Sequence, residues 1–127
     1  MIKKQSNFDV KTTMDRLESV VRQRGALMIA RVDHAVAAAN NYMDLRPTEI
    51  IMFGNPKLGT PLMQSNQMAA MDLPMKVLAW EDEHGKTWLT YKSPKKITED
   101  FNINDQETTR EQLEIVLDNF TEIATSG

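Results

Sequence analysis

The feature that most constrains the fold is a pair of alternating segments joined by a short turn. Residues 75–81 and 86–91 each alternate apolar and polar side chains, and Asp82-Glu-His-Gly85 lies between them. Alternation with a period of two is typical of β-strands, and a four-residue connection containing glycine is typical of a β-hairpin. Because a hairpin pairs its strands antiparallel, the sequence excludes an all-parallel sheet.

The rest of the chain predicts further strands interspersed with amphipathic helices. Strands are predicted over 2–6, 26–34 and 49–53, and helices over 10–22, 35–42, 61–71, 95–101 and 109–124. The connection from Val32 to Glu49 is short for a crossover between parallel strands. We therefore predict a single α+β domain over residues 1–127, with two layers and an antiparallel or mixed four- to five-stranded sheet whose helices lie mainly on one face. An uncovered sheet face would favour a homodimer.

Composition narrows the classes of function. The net charge of −3 argues against nucleic-acid binding, and no apolar run is long enough to predict a membrane span. The chain contains no cysteine, which agrees with a cytoplasmic location and removes thiolate catalysis and cysteine-based metal sites. Only His34 and His84 remain as soft metal ligands. We expect no cofactor and no bound metal.

Residues 46–62 combine a strand, a glycine-containing turn and the start of a helix. The apolar run that ends at Phe53 is followed by Gly54-Asn-Pro56, and Thr60 precedes Pro61 as a predicted N-cap and first helical residue. Free backbone amides at a helix N-terminus favour an anion. The helix predicted from Pro61 would bury Met68 and Met71, because methionine is a common core residue.

This loop is the first candidate site. The amides near Gly59 and Thr60, together with Asn55 and Lys57, would hold a carboxylate or a phosphate. The two glycines have the spacing of a nucleotide-binding P-loop, but the lysine that should follow the second one is absent, which argues against a nucleotide triphosphatase. The alternative is a turn and a capped helix with no ligand.

A second polar group surrounds the ends of two predicted strands. Arg31, Asp33 and His34 end one strand, while Arg46 and Glu49 lead into the next. In a strand, Arg31 and Asp33 project to one face and His34 to the other. This group either forms an ion pair beside an interface histidine, or a pocket in which His34 transfers protons and an arginine binds an anion.

Five motifs carry a resemblance to a known family. The chain contains, in order, the segments 30–35 (Ala-Arg-Val-Asp-His-Ala), 45–49 (Leu-Arg-Pro-Thr-Glu), 53–64, 72–77 and 80–91. Over residues 5–95 this succession resembles the domain-of-unknown-function family 302. The resemblance implies a small α+β fold of bacterial or archaeal type that tends to form dimers, and it implies no established activity. After Tyr91 the chain departs from the family pattern, because Lys92-Ser-Pro stands where Asn-Asp-Pro is common and a later His-Gly is missing.

Three functional hypotheses follow. The first is a dimeric module that binds a small anionic ligand through the Gly54–Thr60 loop, with the candidate residues Arg31, His34, Arg46, Asn55, Lys57, Gly59 and Thr60. The second is a structural or interaction module that binds no ligand. The third is a small enzyme in which His34, with Asp33 or Glu49, serves as acid and base.

Overall fold

The computed structural model describes all 127 residues and contains one five-stranded sheet. The strands are β1 (Ile2–Ser6), β2 (Leu27–Asp33), β3 (Thr48–Gly54), β4 (Met75–Glu81) and β5 (Thr87–Tyr91). Their order across the sheet is β1-β5-β4-β3-β2, and every neighbouring pair is antiparallel. The predicted hairpin is the β4–β5 pair. The α+β prediction is therefore confirmed, in its fully antiparallel form.

Five α-helices connect or follow these strands. They are α1 (Val10–Gln23), α2 (His34–Ala39), α3 (Pro56–Ser65), α4 (Pro94–Asp100) and α5 (Glu107–Thr125), and a 3-10 helix covers Gln67–Asp72. The start of α1 is fixed by Asp9, whose side chain accepts a hydrogen bond from the Thr12 amide. Ser93 caps α4 in the same way, with Pro94 as its first residue.

The hydrophobic core lies on one side of the sheet. Alternate residues of β3, β4 and β5, such as Ile51, Val77 and Leu89, are fully buried beneath α1 and α5, which contribute Leu17 and Leu117. The intervening residues of the same strands remain half-exposed on the opposite face. This two-layer arrangement places the long helices on one face, as the sequence predicts.

The start of α3 corrects the sequence-based expectation. The helix begins at Pro56, with Asn55 as its N-cap, so Gly59, Thr60 and Pro61 lie inside it. Both Asn55-Pro56 and Thr60-Pro61 fit the rule for a cap followed by proline. The helix starts at the earlier pair, and its residue Leu62 is completely buried in the core. Pro61 is the sixth residue of α3, where it removes an interior backbone donor and so weakens the helix.

The different bounds of α3 also change where two methionines lie and how exposed they are. Because α3 ends at Ser65, Met68 and Met71 fall on the 3-10 helix instead of on a long amphipathic helix. Their exposed fractions are 67% and 77%. The prediction that both side chains are buried is therefore wrong.

Asp82 organises the turn of the β4–β5 hairpin and gives its stability a pH dependence. Its carboxylate accepts hydrogen bonds from the Trp88 indole and from the amides of Lys86 and His84, each at 2.9 Å. These bonds, chiefly the one from Trp88, lower the pKa of Asp82 to about 2. A carboxyl group with a lowered pKa stabilises the fold above its ordinary pKa and loses that contribution as pH falls through the folded value.

We therefore expect Asp82→Asn to have a lower melting temperature than the wild type at pH 7. The difference should shrink as pH falls from 4 to 2, as followed by tryptophan fluorescence in thermal melts. Glu83→Gln is the control, because it removes a neighbouring exposed charge that accepts no hydrogen bond from Trp88. A difference between wild type and Asp82→Asn that stays constant with pH would contradict this account.

Candidate functional site

The structure separates the sequence-predicted site residues into two groups at opposite ends of β3. In the β2–β3 register Asp33 pairs with Glu49, whereas Leu27 pairs with Gly54. His34 and Arg46 therefore lie at the end where β3 starts, and residues 55–60 follow the end where it stops. Arg31 pairs with Ile51 in the middle of β3, and its side chain extends toward the first end, to Glu49. A seven-residue strand is about 23 Å long at ~3.3 Å per residue. The two groups cannot contact one small ligand together.

The guanidinium of Arg31 is engaged by the protein's own carboxylates. Its Nε donates to Glu49 Oε1 at 2.8 Å, and its Nη1 donates to Asp15 Oδ1 at 2.7 Å and to Glu18 Oε1 at 3.3 Å. The side chain of Glu49 is only 9% exposed. Burial acts to lower the pKa of Arg31, but the hydrogen bonds that it donates to Glu49 and Asp15 outweigh this effect and raise the pKa. Arg31 therefore neutralises a buried carboxylate that the fold places under α1.

A polar cleft lies beside this ion pair. It encloses about 310 Å³, and its charged lining consists of Lys11 and Arg31 together with the carboxylates of Asp9, Asp33, Glu49 and Glu81. Four carboxylates against two cations give this cleft little affinity for an anion. The Asp33 side chain also accepts a hydrogen bond from the Val36 amide and so caps α2.

His34 and Arg46 do not line the polar cleft. Arg46 Nε donates to the backbone oxygen of Glu81 at 3.1 Å, and His34 is exposed as the first residue of α2. No group of three histidine or carboxylate side chains is arranged to hold a metal ion.

The opposite end of β3 opens into an apolar cavity of about 430 Å³. Only Asn55 and Thr60 contribute polar side chains, and no charged residue is present among its lining residues, which are Leu27, Ile29, Gly54, Asn55, Pro56, Gly59, Thr60, Met63, Leu73, Pro74, Met75 and Leu113. Its volume and mostly apolar lining fit the usual range of small-molecule sites.

The backbone amides and the lysine that were expected to bind an anion at this loop are not free to do so together. The Gly59 amide already donates to the backbone oxygen of Asn55 at 2.9 Å, because it lies inside α3. The Asn55 side chain accepts from the Lys57 amide at 3.0 Å, and Lys57 is exposed outside the cavity lining. The structure therefore brings Asn55, Gly59 and Thr60 to one cavity but leaves Lys57 outside it.

Two local features shape the cavity walls. The pairing of β2 with β3 shifts register between Met28 and Ala30, so Ile29 lies at a β-bulge and is 54% exposed. Bulges redirect side chains in this way. On the other wall, a Cβ at Gly54 would lie 3.2 Å from the Cβ of Pro74, so glycine permits this close approach. Sequence reasoning missed Leu27 and Ile29 as cavity residues, because alternation alone does not reveal a bulge.

These features define a small α+β domain with an open apolar cavity at one end of its sheet. A family model described as domain of unknown function DUF302 matches residues 2–120, and the chain belongs to this family. The match extends well beyond Tyr91, where the sequence motifs depart from the family pattern. The family description states no activity.

A solved structure shares the fold. The crystal structure of an uncharacterized conserved DUF302 protein from Bacillus stearothermophilus superposes with a TM-score of 0.75, covering 98% of this chain and 94% of that one. The sequence identity is 16%, so the comparison supports the architecture alone.

Curated relatives match over a shorter region. A protein named fluoride-specific ion channel FluC 1, from Brucella suis biovar 1 (strain 1330), is 42% identical over 90 residues, which cover 71% of this chain and 35% of that protein. A protein named FluC 2 from Brucella melitensis biotype 1 is also 42% identical over 90 residues, covering 33% of its length. The chain thus spans about a third of these relatives. None of its helices combines the length and hydropathy that crossing a bilayer requires.

Replacing Arg31 should show that it stabilises the fold. Arg31→Met leaves Glu49 buried without its partner, and loss of one member of a buried ion pair costs several kcal/mol. Because Arg31 is 23% exposed, we expect about 2 kcal/mol less stability in urea unfolding.

Arg22→Met is the matched control, because the ion pair of Arg22 with Glu18 is largely exposed and should change stability by less than about 0.5 kcal/mol. Equal losses in the two variants would contradict a special role for the Arg31–Glu49 pair.

Proposed function

We propose that this DUF302 domain is a small-ligand-binding module whose site is the cavity between β2, α3 and the Leu73-Pro74 segment. The observation that supports the proposal is the cavity itself, which is of ligand size and open to solvent while most of its lining is apolar. The polar cleft at the other end of β3 is a weaker candidate, since its arginine is engaged in internal ion pairs.

The lining favours an uncharged or weakly polar ligand over the small anion expected from the sequence. A ring or a short hydrocarbon chain would contact Leu27, Ile29 and Met63, while one polar group would face Asn55 and Thr60 at the rim. A buried anion would meet no cationic side chain in this lining, and desolvating an unpaired charge is costly. Lys57, exposed in the first turn of α3, is the residue through which an anionic group would still be held at the entrance.

Filling the cavity should abolish binding without damaging the fold. Gly59 faces the cavity from inside α3, and the atoms nearest a Cβ built there, in Leu73 and Met63, are 4.0 Å away. Replacing a helical glycine also removes an entropic penalty of about 0.5–1 kcal/mol. We expect the neutral dye N-phenyl-1-naphthylamine to bind the wild type saturably and Gly59→Leu at least tenfold more weakly, with no loss of melting temperature.

Thr108→Leu, which adds the same side chain to an exposed position of α5, should bind the dye like the wild type. Equal dye binding by Gly59→Leu would contradict the cavity as the site. Titration with inorganic phosphate provides the anionic comparison. A rise in the wild-type melting temperature that Lys57→Ala abolishes would favour the anionic ligand instead.

We further propose that the module is a homodimer in the cytoplasm. Several exposed apolar side chains outside the core support self-association, and the lack of cysteine suits a reducing compartment. The molar mass from light scattering on a sizing column should be twice 14.5 kDa.

A second candidate function is an accessory domain of a membrane channel. The observation that favours this role is the 42% identity between this chain and about a third of a protein named fluoride-specific ion channel. This chain has no helix that could span a membrane, so the matched third of that protein would be an additional domain joined to the other two thirds. The same domain would then modulate or assemble a channel, either within a longer chain or as a separate subunit.

This role is tested in the Brucella suis relative. We expect that deleting its matched 90 residues changes fluoride flux into vesicles, and that inserting the matching part of this chain restores it. Indistinguishable flux in the intact, deleted and substituted proteins would contradict an accessory role. The control is a variant that carries an unrelated α+β domain of similar size at the same position, because it shows whether any inserted domain restores the flux.

A further inference from the structure

The two edges of the sheet are unequal. β1 forms one edge with five residues, and its lysines are occupied, since Lys3 lies over the rings of Trp80 and Trp88 and Lys4 pairs with Asp118. A short, lysine-bearing strand is a protected edge. β2 forms the other edge with seven residues, and its exposed apolar side chains are Leu27, Ile29 and Val32. A long, apolar edge is available for pairing with another strand, and the bulge at Ile29 interrupts the regular register of this one.

An exposed segment connects α2, which follows the Asp33 end of β2, to the start of β3. All eight residues of the 40–47 segment, which we call the arm, are exposed, and three of them are large and apolar, namely Tyr42, Met43 and Leu45. The Tyr42 side chain is 99% exposed, so it makes almost no contact with its own chain.

The backbone of Tyr42 adds a second, independent observation. Tyr42 has φ of 60° and closes α2 as the left-handed residue of a Schellman motif, with its amide bonded to Ala39 and the Met43 amide bonded to Ala38. Glycine is the usual residue at this position, and a bulky side chain there is strained. A strained backbone that directs an aromatic ring into solvent is difficult to explain by the stability of one chain alone.

The arm and the apolar cavity lie at opposite ends of the same edge. The arm follows the Asp33 end of β2, and the cavity is lined by Leu27 and Ile29 from its other end. In an antiparallel pairing of two β2 strands about a two-fold axis, the Asp33 end of one strand lies beside the Leu27 end of the other. The symmetry therefore places the end of the edge that leads to each arm beside the end that carries the cavity of the second copy, and it does so twice in the same dimer.

We propose that two copies of this chain pair along their β2 edges, and that the arm of each copy covers the apolar cavity of the other with Tyr42. This inference rests on the homodimer proposed above and assigns its interface. The ligand site is complete only in the dimer.

Cysteine cross-linking tests the pairing directly, because the chain contains no cysteine of its own. Leu27→Cys and Tyr42→Cys are prepared separately, mixed and oxidised. A disulfide requires Cα atoms within about 7 Å, so a bridge between the two variants reports the arm of one copy at the cavity edge of another. We expect covalent heterodimers in the mixture and little cross-linking in either variant alone. Covalent dimers of Tyr42→Cys alone would overturn the arrangement.

The glycine variant separates an interface role from a structural one. Tyr42→Gly relieves the left-handed strain, so a merely structural tyrosine would leave the oligomeric state unchanged. We expect at least a tenfold increase in the dimer dissociation constant, measured by sedimentation, with a monomer that melts no lower than that of the wild type. Val32→Lys on the β2 edge should weaken the dimer likewise.

Two controls separate this interface from others. Lys76→Glu on the open sheet face and Met71→Ser at another exposed apolar site should leave the dimer intact. A dimer that resists Tyr42→Gly and Val32→Lys but dissociates in Lys76→Glu would overturn the β2 interface while leaving the homodimer and the cavity proposals standing. Dye binding by the cavity is measured independently, so its failure would be recognised separately.

Discussion

Coverage of the sheet on one side only is the constraint on which the other features depend. The two long helices, α1 and α5, pack on the same face, and their buried leucines meet alternate residues of the central strands. A strand side chain is therefore either in the core or on the open face, according to its register. Arg31 and Glu49 fall on the helical side, where a lone carboxylate would be costly. Their ion pair is the consequence, and it removes from solvent the arginine that otherwise suits an anion site.

The two ends of β3 differ in chemical character. At its start the charges are satisfied internally, by ion pairs and by side chains that cap helices. At its end the chain turns at once into α3, and the apolar side chains around that turn are left in contact with solvent. An open apolar cavity retains free energy to be gained by burial, whereas a satisfied ion-pair cluster does not. This difference is why the apolar end is the better candidate for a binding site.

Several elements were predictable because local signals decided them. The hairpin turn at Asp82–Gly85 and the period of α5 act over a few residues, and the structure agrees with both. The membership of the DUF302 family was likewise visible in five ordered motifs, although the family model extends further, over residues 2–120. The start of α3 was not predictable, since two cap-and-proline pairs competed and both place Leu62 in a helix.

The sequence by itself determined one antiparallel hairpin, the amphipathic helices and the residue types available for chemistry. The period of apolar residues, the capping residues and the turn residues are local properties, so they can be recognised in the sequence without knowledge of the fold. Only the tertiary structure decided which of those residues meet. It separated His34 and Arg46 from the Asn55–Thr60 segment by the length of one strand, it engaged Arg31 with Glu49, and it placed Ile29 at the cavity through a bulge. Contacts between distant residues depend on strand register and packing, which are set by the whole core and not by any single segment.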